Sequence, residues 1–410
     1  MACLICCSCK VVAQIDVGEH PVASFFLEDP NQVENQYRLI LGQCSDCGAV
    51  QLIQPVPHHA LVPPYDWLIA REPEEHLDDA VECILREKVL FHQSVIGGLT
   101  YKDDTTIDRF INQGFTTNWR LDLNIDFELD NPSANIETVQ KLVSPKRMND
   151  IAMKYPPANL LIVRHIIEHT ENLHNFMQGL AKLVAPNGLL MLEVPDCLSS
   201  LRLGEYCMIW EEHSLYLTPE TFSLVPALGG FSTLWLKTYE RAFENSLVLL
   251  ARKEGIPSKP VVSDLAQAQI GILEKYGRGY KISKIELRAD LEKFIYEKGP
   301  IALFGAGHLA HAFVNFMGVS DLIDFVADDT PQKQGKYLSG AKLPILPSSA
   351  LLERNIKLCL LAISVPSEPA VIGRNASFVS SGGTFRSILR ASSRSIFSNP
   401  LATKMVRGDF

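Results

Sequence analysis

The sequence predicts an α/β protein in which a small cysteine-rich module precedes two larger α/β domains. Three observations carry this. The chain has 410 residues, too many for one hydrophobic core. Six of its ten cysteines fall within the first 47 residues. Beyond about residue 76, helical periodicity alternates with short apolar runs, the pattern of strands buried in a parallel sheet.

Residues 1–75 are rich in Pro and His and hold short β-like runs, Tyr37-Arg-Leu-Ile-Leu41 and Val50-Gln-Leu-Ile53. So thin a core needs a staple. A helical pattern covers His76–Arg86. Leu160–Val163 reads as a buried strand, Asn175–Val184 as an amphipathic helix stopped at Pro186-Asn-Gly188, and Leu189–Val194 and Ser246–Ala251 as further strands. Ile256–Val261 reads as a linker, which sets domains at 1–75, 76–255 and 256–410. A polar-faced helix is expected over 263–298, broken near Gly277-Arg-Gly279. Strand Ile301–Phe304 then turns at Gly305-Ala-Gly307 into a helix, with strands expected at Asp324–Asp328 and Lys357–Ile363. The Ser/Arg-rich tail beyond about 390 is expected to be mobile.

The composition is that of an ordinary globular protein, 47% hydrophobic and 21% charged, with a net charge of −9. No Lys/Arg block offers an electrostatic footprint for nucleic acid or an anionic membrane. No apolar run is long enough to cross a bilayer, and the start is not a signal peptide. Unpaired cysteines point to a reducing, cytoplasmic compartment.

Two Cys-x-x-Cys pairs a small hairpin domain apart can bring four thiolates to the corners of a tetrahedron, which suits a structural Zn²⁺. The second pair is Cys44/Cys47, closed by Gly48. For the first, Cys3/Cys6 and Cys6/Cys9 both have the spacing, and Cys3/Cys6 is preferred. Cys83, Cys197, Cys207 and Cys359 read as ordinary buried thiols.

The order of parts resembles the sugar C-methyltransferases of deoxysugar biosynthesis. The carriers are Cys3-x-x-Cys6, Asp16-Val-Gly18, Cys44-x-x-Cys47, Arg164-His-Ile-Ile-Glu-His169, Glu193-Val-Pro-Asp196, Glu212-His213 and Lys333-Gln-Gly-Lys-Tyr337. The resemblance implies a zinc-binding module, a central class I methyltransferase-like Rossmann domain and a second Rossmann-like domain. It also implies S-adenosylmethionine-dependent methylation of the carbon beside the ketone of a nucleotide-linked keto sugar. A proton next to a carbonyl leaves only to a well-placed base, most often His. His213 is the candidate base, Glu212 its orienting or charging partner, and His165 a group of the carbonyl pocket. His169, one turn later, reads as a packing histidine bonded to backbone. Asp104, Asp122 and Arg164 are the candidate cofactor-binding residues.

The sequence also departs from that pattern. Gly97 and Gly98 come too early for a cofactor turn, and Tyr101 and Thr105 stand where glycines are expected. Trp210 replaces a Tyr, Tyr65–Ala70 lacks two hydroxyls, and Phe243–Ser246 replaces a His-Gly-Gly-Ser turn. Two alternatives therefore stand beside methyl transfer: a cofactor-free enolisation enzyme (isomerase, epimerase or lyase) on the same scaffold, and a non-catalytic binding protein. The turn Gly305-Ala-Gly307 lacks a third glycine, so with Asp328-Asp329 it reads as a Rossmann-like fold that binds no dinucleotide.

Overall fold

The computed structural model describes residues 1–65, 67, 72–129, 136–242 and 244–397. Contacts divide the chain into two compact units. The first comprises Met1–Ala13, Gly42–Leu198 and Glu212–Ile270; the second comprises Gln14–Leu41, Ser199–Glu211 and the chain from Gly271 onward.

The first unit is organised by a six-stranded sheet. Its strands are β1 (Ile96–Gly98), β2 (Asn118–Arg120), β3 (Ala158–Arg164), β4 (Val184–Asp196), β5 (Phe231–Tyr239) and β6 (Asn245–Lys253), in spatial order β2-β1-β3-β4-β6-β5. The first four run parallel, while β6 is antiparallel to both β4 and β5. β3, β4 and β6 read as near-continuous apolar runs because both sheet faces are covered. Helices α1 (Leu77–Arg86), α2 (Asp104–Asn112), α3 (Leu123–Phe127) and α4 (Leu173–Leu183) flank the sheet in sequence. The chain leaves β1 outward to β2 and returns to β3 on the other side of β1. The carboxyl ends of β1 and β3 therefore flank a topological switch point, where open α/β sheets form crevices.

The glycines of β1 serve packing. A Cβ on Gly97 would lie 2.6 Å from the Trp119 ring, and one on Gly98 would lie 2.8 Å from Ile107. Trp119 is locked in turn by its indole N–H donating to the Pro156 carbonyl at 2.9 Å.

The second unit holds a five-stranded, fully parallel sheet: β7 (Ile301–Phe304), β8 (Val326–Ala327), β9 (Ile345–Leu346), β10 (Leu358–Leu361) and β11 (Thr384–Ser387), ordered β9-β8-β7-β10-β11. It is doubly wound like the first, as the alternating pattern implied. Helix α5 (Ile272–Glu297) runs unbroken through Gly277 and Gly279, contrary to the expected interruption there. These glycines are helical because neighbours sit too close for a side chain: a Cβ would lie 2.4 Å from the Gln14 carbonyl oxygen and 2.6 Å from the Tyr206 hydroxyl, respectively. The actual break is Gly271, in the left-handed region at φ 95°. Helix α6 (His308–Met317) follows Gly307 as predicted.

Among the described residues, no helix is long and apolar enough to cross a membrane. Most of Tyr65–Ala70, Phe243 and the chain beyond 397 lie outside the described residues.

Replacing Gly97 by Ala drives a methyl group into the Trp119 ring and should cost about 1–3 kcal/mol, typical of overpacking. Urea unfolding reads this as a lower midpoint with unchanged slope; an unchanged midpoint would contradict the packing role.

Candidate functional site

The carboxyl edge of the first sheet is built around a buried carboxylate. Glu193, on β4, is 0% exposed. Arg164, the last residue of β3, is 1% exposed and donates from Nε to Glu193 at 2.5 Å. His76 reaches the other Glu193 oxygen at 2.7 Å, and His165 Nε2 lies 3.3 Å from it. The Arg164 guanidinium also bonds Glu74 at 3.2 Å and the Lys102 carbonyl. An unpaired charge at such depth would be costly, so the arrangement is all or nothing. These partners hold Glu193 well below the usual carboxylate range, against the opposing effect of burial. Burial alone would discharge His165, yet Glu72, Glu193 and Glu168 outweigh it and raise its pKa to about 10. At neutral pH His165 is therefore an imidazolium. Its backbone is left-handed, φ 51°, a conformation in which His, Asn and Asp are enriched.

The turn after His165 forms a 3₁₀ segment, Ile167–His169. It sets Glu168 and His169 beside His213, and the three offer ligand atoms all within 4.8 Å of one another. All are buried: Glu168 2%, His169 4% and His213 9% exposed. The His169 and His213 rings meet edge to face at 4.9 Å. His169 Nδ1 lies 3.0 Å from the Glu212 carbonyl, so that nitrogen carries the proton and Nε2 keeps its lone pair. Gln140 and Ser214 donate to the His169 carbonyl at 2.9 and 3.3 Å. His169 thus makes the backbone bond expected of it, but from a turn rather than a helix, and its ring faces the candidate base. Glu212 is half-buried and contributes its carbonyl to that bond.

The candidate cofactor residues lie along the same edge. Asp103, fully buried, accepts from the amides of Leu99 and Thr100 at 2.7 and 2.8 Å and from the Arg164 amide at 2.9 Å. It thereby bridges both sides of the switch point. Asp104 pairs with Arg120 at 2.6 Å. Asp122, just past β2, caps α3 by accepting the Asn124 and Ile125 amides on Oδ1. Its exposed carboxylate at that strand end is suited to a ribose hydroxyl. Asp122 thus keeps its carboxylate open to a ligand hydroxyl, while the Leu99 and Thr100 amides are already bound by Asp103.

The amino-terminal cysteines assemble as expected, and the ambiguity in the first pair is resolved. Cys3, Cys6, Cys44 and Cys47 form one cluster, with Cys3···Cys47 3.5 Å and Cys6···Cys44 3.6 Å; Cys9 is exposed and outside it. Sulfurs about 2.3 Å from a tetrahedral zinc lie about 3.8 Å apart, so the set fits the ion. The two knuckles are alike. Cys7 and Gly48 both follow the second cysteine with left-handed φ, 61° and 77°, and donate to the carbonyls of Cys3 and Cys44 at 3.0 and 2.9 Å. Hydrogen bonds from Cys3 and Cys47 pull the Cys44 thiol down, while Cys3 is pushed up to about 12.

In the second unit, Trp210 stacks on His308 at 3.6 Å and 10°. Glu211 accepts the Ala23 amide at 2.6 Å and faces His308 Nδ1 at 3.5 Å. Asp328 accepts from the Ala306 amide of the turn after β7 and from Thr330 and Lys333 beyond β8, so its carboxylate ties the two strand ends together.

Glu168 and Glu193 stand within the family-like motifs, yet the sequence alone assigns neither a role. The signal available was a buried-strand pattern ending in charged residues on two neighbouring strands.

Residues 263–389 match the family model described as the C-methyltransferase C-terminal domain. The chain is 23% identical over 260 residues to the C-methyltransferase NovU of Streptomyces niveus, covering 61% of each protein. It is 34% identical over 113 residues to the redox-sensing transcriptional repressor Rex of Brevibacillus brevis, covering 25% of this chain and 53% of that one. The chain thus spans less than two thirds of either relative. A solved magnesium protoporphyrin IX methyltransferase from Synechocystis overlaps 44% of this chain and 83% of its own at 13% identity, with a TM-score of 0.31. Residues 263–389 thus match a C-methyltransferase C-terminal domain, and over 61% of its length the chain is similar to a C-methyltransferase.

Proposed function

We propose that this protein is an S-adenosylmethionine-dependent C-methyltransferase that acts on the carbon beside the ketone of a nucleotide-linked keto sugar. The observation that supports this reading is the buried meeting of Glu168, His169 and His213 next to a His165 charged at neutral pH. His213 takes the proton from the carbon. The Glu168 carboxylate stabilises the imidazolium so formed, as carboxylates do beside basic histidines. His165, already protonated, stabilises the negative charge that develops on the carbonyl oxygen. Asp122 holds the ribose of the cofactor, which when bound supplies the methyl group.

A second reading, enolisation without methyl transfer, is favoured by one specific feature: Asp103 occupies the Leu99 and Thr100 amides at the methionine end. The two readings share the proton-removal step and differ in the fate of the enolate.

Cys3, Cys6, Cys44 and Cys47 are proposed as the ligands of a structural zinc, with the cytoplasm as the reducing setting that keeps them as thiols.

His213→Ala should slow deuterium uptake at the ketone's neighbouring carbon, measured by NMR in D₂O, by about 10²-fold or more with the circular dichroism spectrum unchanged. Undiminished uptake would remove His213 as the base. Methylated product only in the presence of S-adenosylmethionine supports the first reading; exchange with no product at millimolar cofactor supports the second.

The raised pKa of His165 also links stability to pH. The proton is bound in the folded state and absent from the unfolded state between pH 6.5 and about 10. The contribution is therefore complete below pH 6.5 and is lost as pH rises through that window, at up to about 1.4 kcal/mol per pH unit. His165→Asn, which tolerates the left-handed backbone, should flatten this dependence in thermal unfolding. An equal slope in both proteins would contradict a charged His165.

Chelation of the cysteine cluster should release about one zinc per chain and lower the unfolding temperature. Cys44→Ala should release about one zinc per chain fewer than the wild type; equal release from both would exclude these ligands.

A further inference from the structure

We propose that Glu168, His169 and His213 form a second divalent-metal site, separate from the cysteine cluster, that takes Zn²⁺ or a similar transition-metal cation. The three side chains are nine-tenths or more buried and converge within 4.8 Å. Each offers one ligand atom toward that point. His169 has committed its Nδ1 proton to the Glu212 carbonyl, which leaves Nε2 as the lone-pair nitrogen. A backbone carbonyl on the far ring nitrogen is the usual way a ligating histidine is held. Glu168 Oε2 is buried without a hydrogen-bond partner, while Oε1 lies 3.6 Å from His165. A carboxylate oxygen left bare at that depth costs free energy unless a cation meets it.

Two imidazoles and a carboxylate form a borderline ligand set that suits Zn²⁺ or Co²⁺ and leaves a fourth position open. Nitrogen and oxygen ligands about 2.1 Å from a tetrahedral ion lie about 3.4 Å apart, so the side chains need only draw in slightly. The bonds from Gln140 and Ser214 to the His169 carbonyl fix the turn that carries two of the three ligands. The consequence for activity rests on the reading of His213 as the base: a metal-bound imidazole has no lone pair for substrate, so the ion switches the site off. The metal site itself does not depend on that reading.

The test uses the full chain, stripped of metal and reloaded with Co²⁺, with stoichiometry from elemental analysis and the ion's environment from its absorption spectrum. The wild type should take about two ions per chain, one with intense thiolate-to-cobalt charge transfer and one with only weak ligand-field bands. His213→Gln and His169→Gln should each lose the second ion and keep the thiolate bands, which also reports that the variants fold. A wild type that takes a single, thiolate-bound ion overturns the proposal. So does a second ion that persists in both variants. Where deuterium exchange is measurable, added Zn²⁺ should suppress it reversibly. Two ions without suppression would leave the metal site standing and count against His213 as the base.

Discussion

The candidate site depends on one buried charge, the carboxylate of Glu193. It sits on the central strand β4 with no exposure, and its compensation recruits Arg164 from the end of β3, His165 just beyond it and His76 from the approach to α1. Removing any one partner would leave an uncompensated charge in the interior, a penalty of about 3–5 kcal/mol for buried pairs of this kind. The same network settles chemistry. Beside it the chain is left-handed at His165, Glu72 and Glu193 keep that ring charged, and the turn that carries Glu168 and His169 toward His213 begins there.

The architecture was largely legible in the sequence because its signals are local. Apolar runs such as Leu160–Val163 and Leu189–Val194 read as buried strands, and the paired Cys-x-x-Cys spacing suits a shared cluster. Gly277 and Gly279 misled for a physical reason. Glycine lowers helix propensity by about 1 kcal/mol, yet here its missing side chain admits the Gln14 carbonyl and the Tyr206 hydroxyl, and that close packing outweighs propensity. No local pattern distinguishes a glycine that breaks a helix from one that lets a neighbour in.

The site was legible only in part. Arg164 through His169 stood out as a dense charged motif, and His213 as half of a Glu-His pair. What joins them is tertiary: register between β3 and β4 puts Arg164 opposite Glu193, and the turn after His165 decides which of two histidines meets the third. Asp103 was invisible as a structural residue because its three amide partners come from two strands about sixty positions apart in sequence. The Leu99 and Thr100 amides beyond β1 are thereby satisfied from within the protein.

The most direct measurement of the central claim is ¹⁵N NMR of the histidine side chains across pH 6–9, in the wild-type protein and in Glu193→Gln. If Glu193 governs this edge, His165 stays an imidazolium to pH 8 in the wild type and loses its proton at markedly lower pH in the variant. A His165 resonance that titrates alike in both proteins would contradict the account.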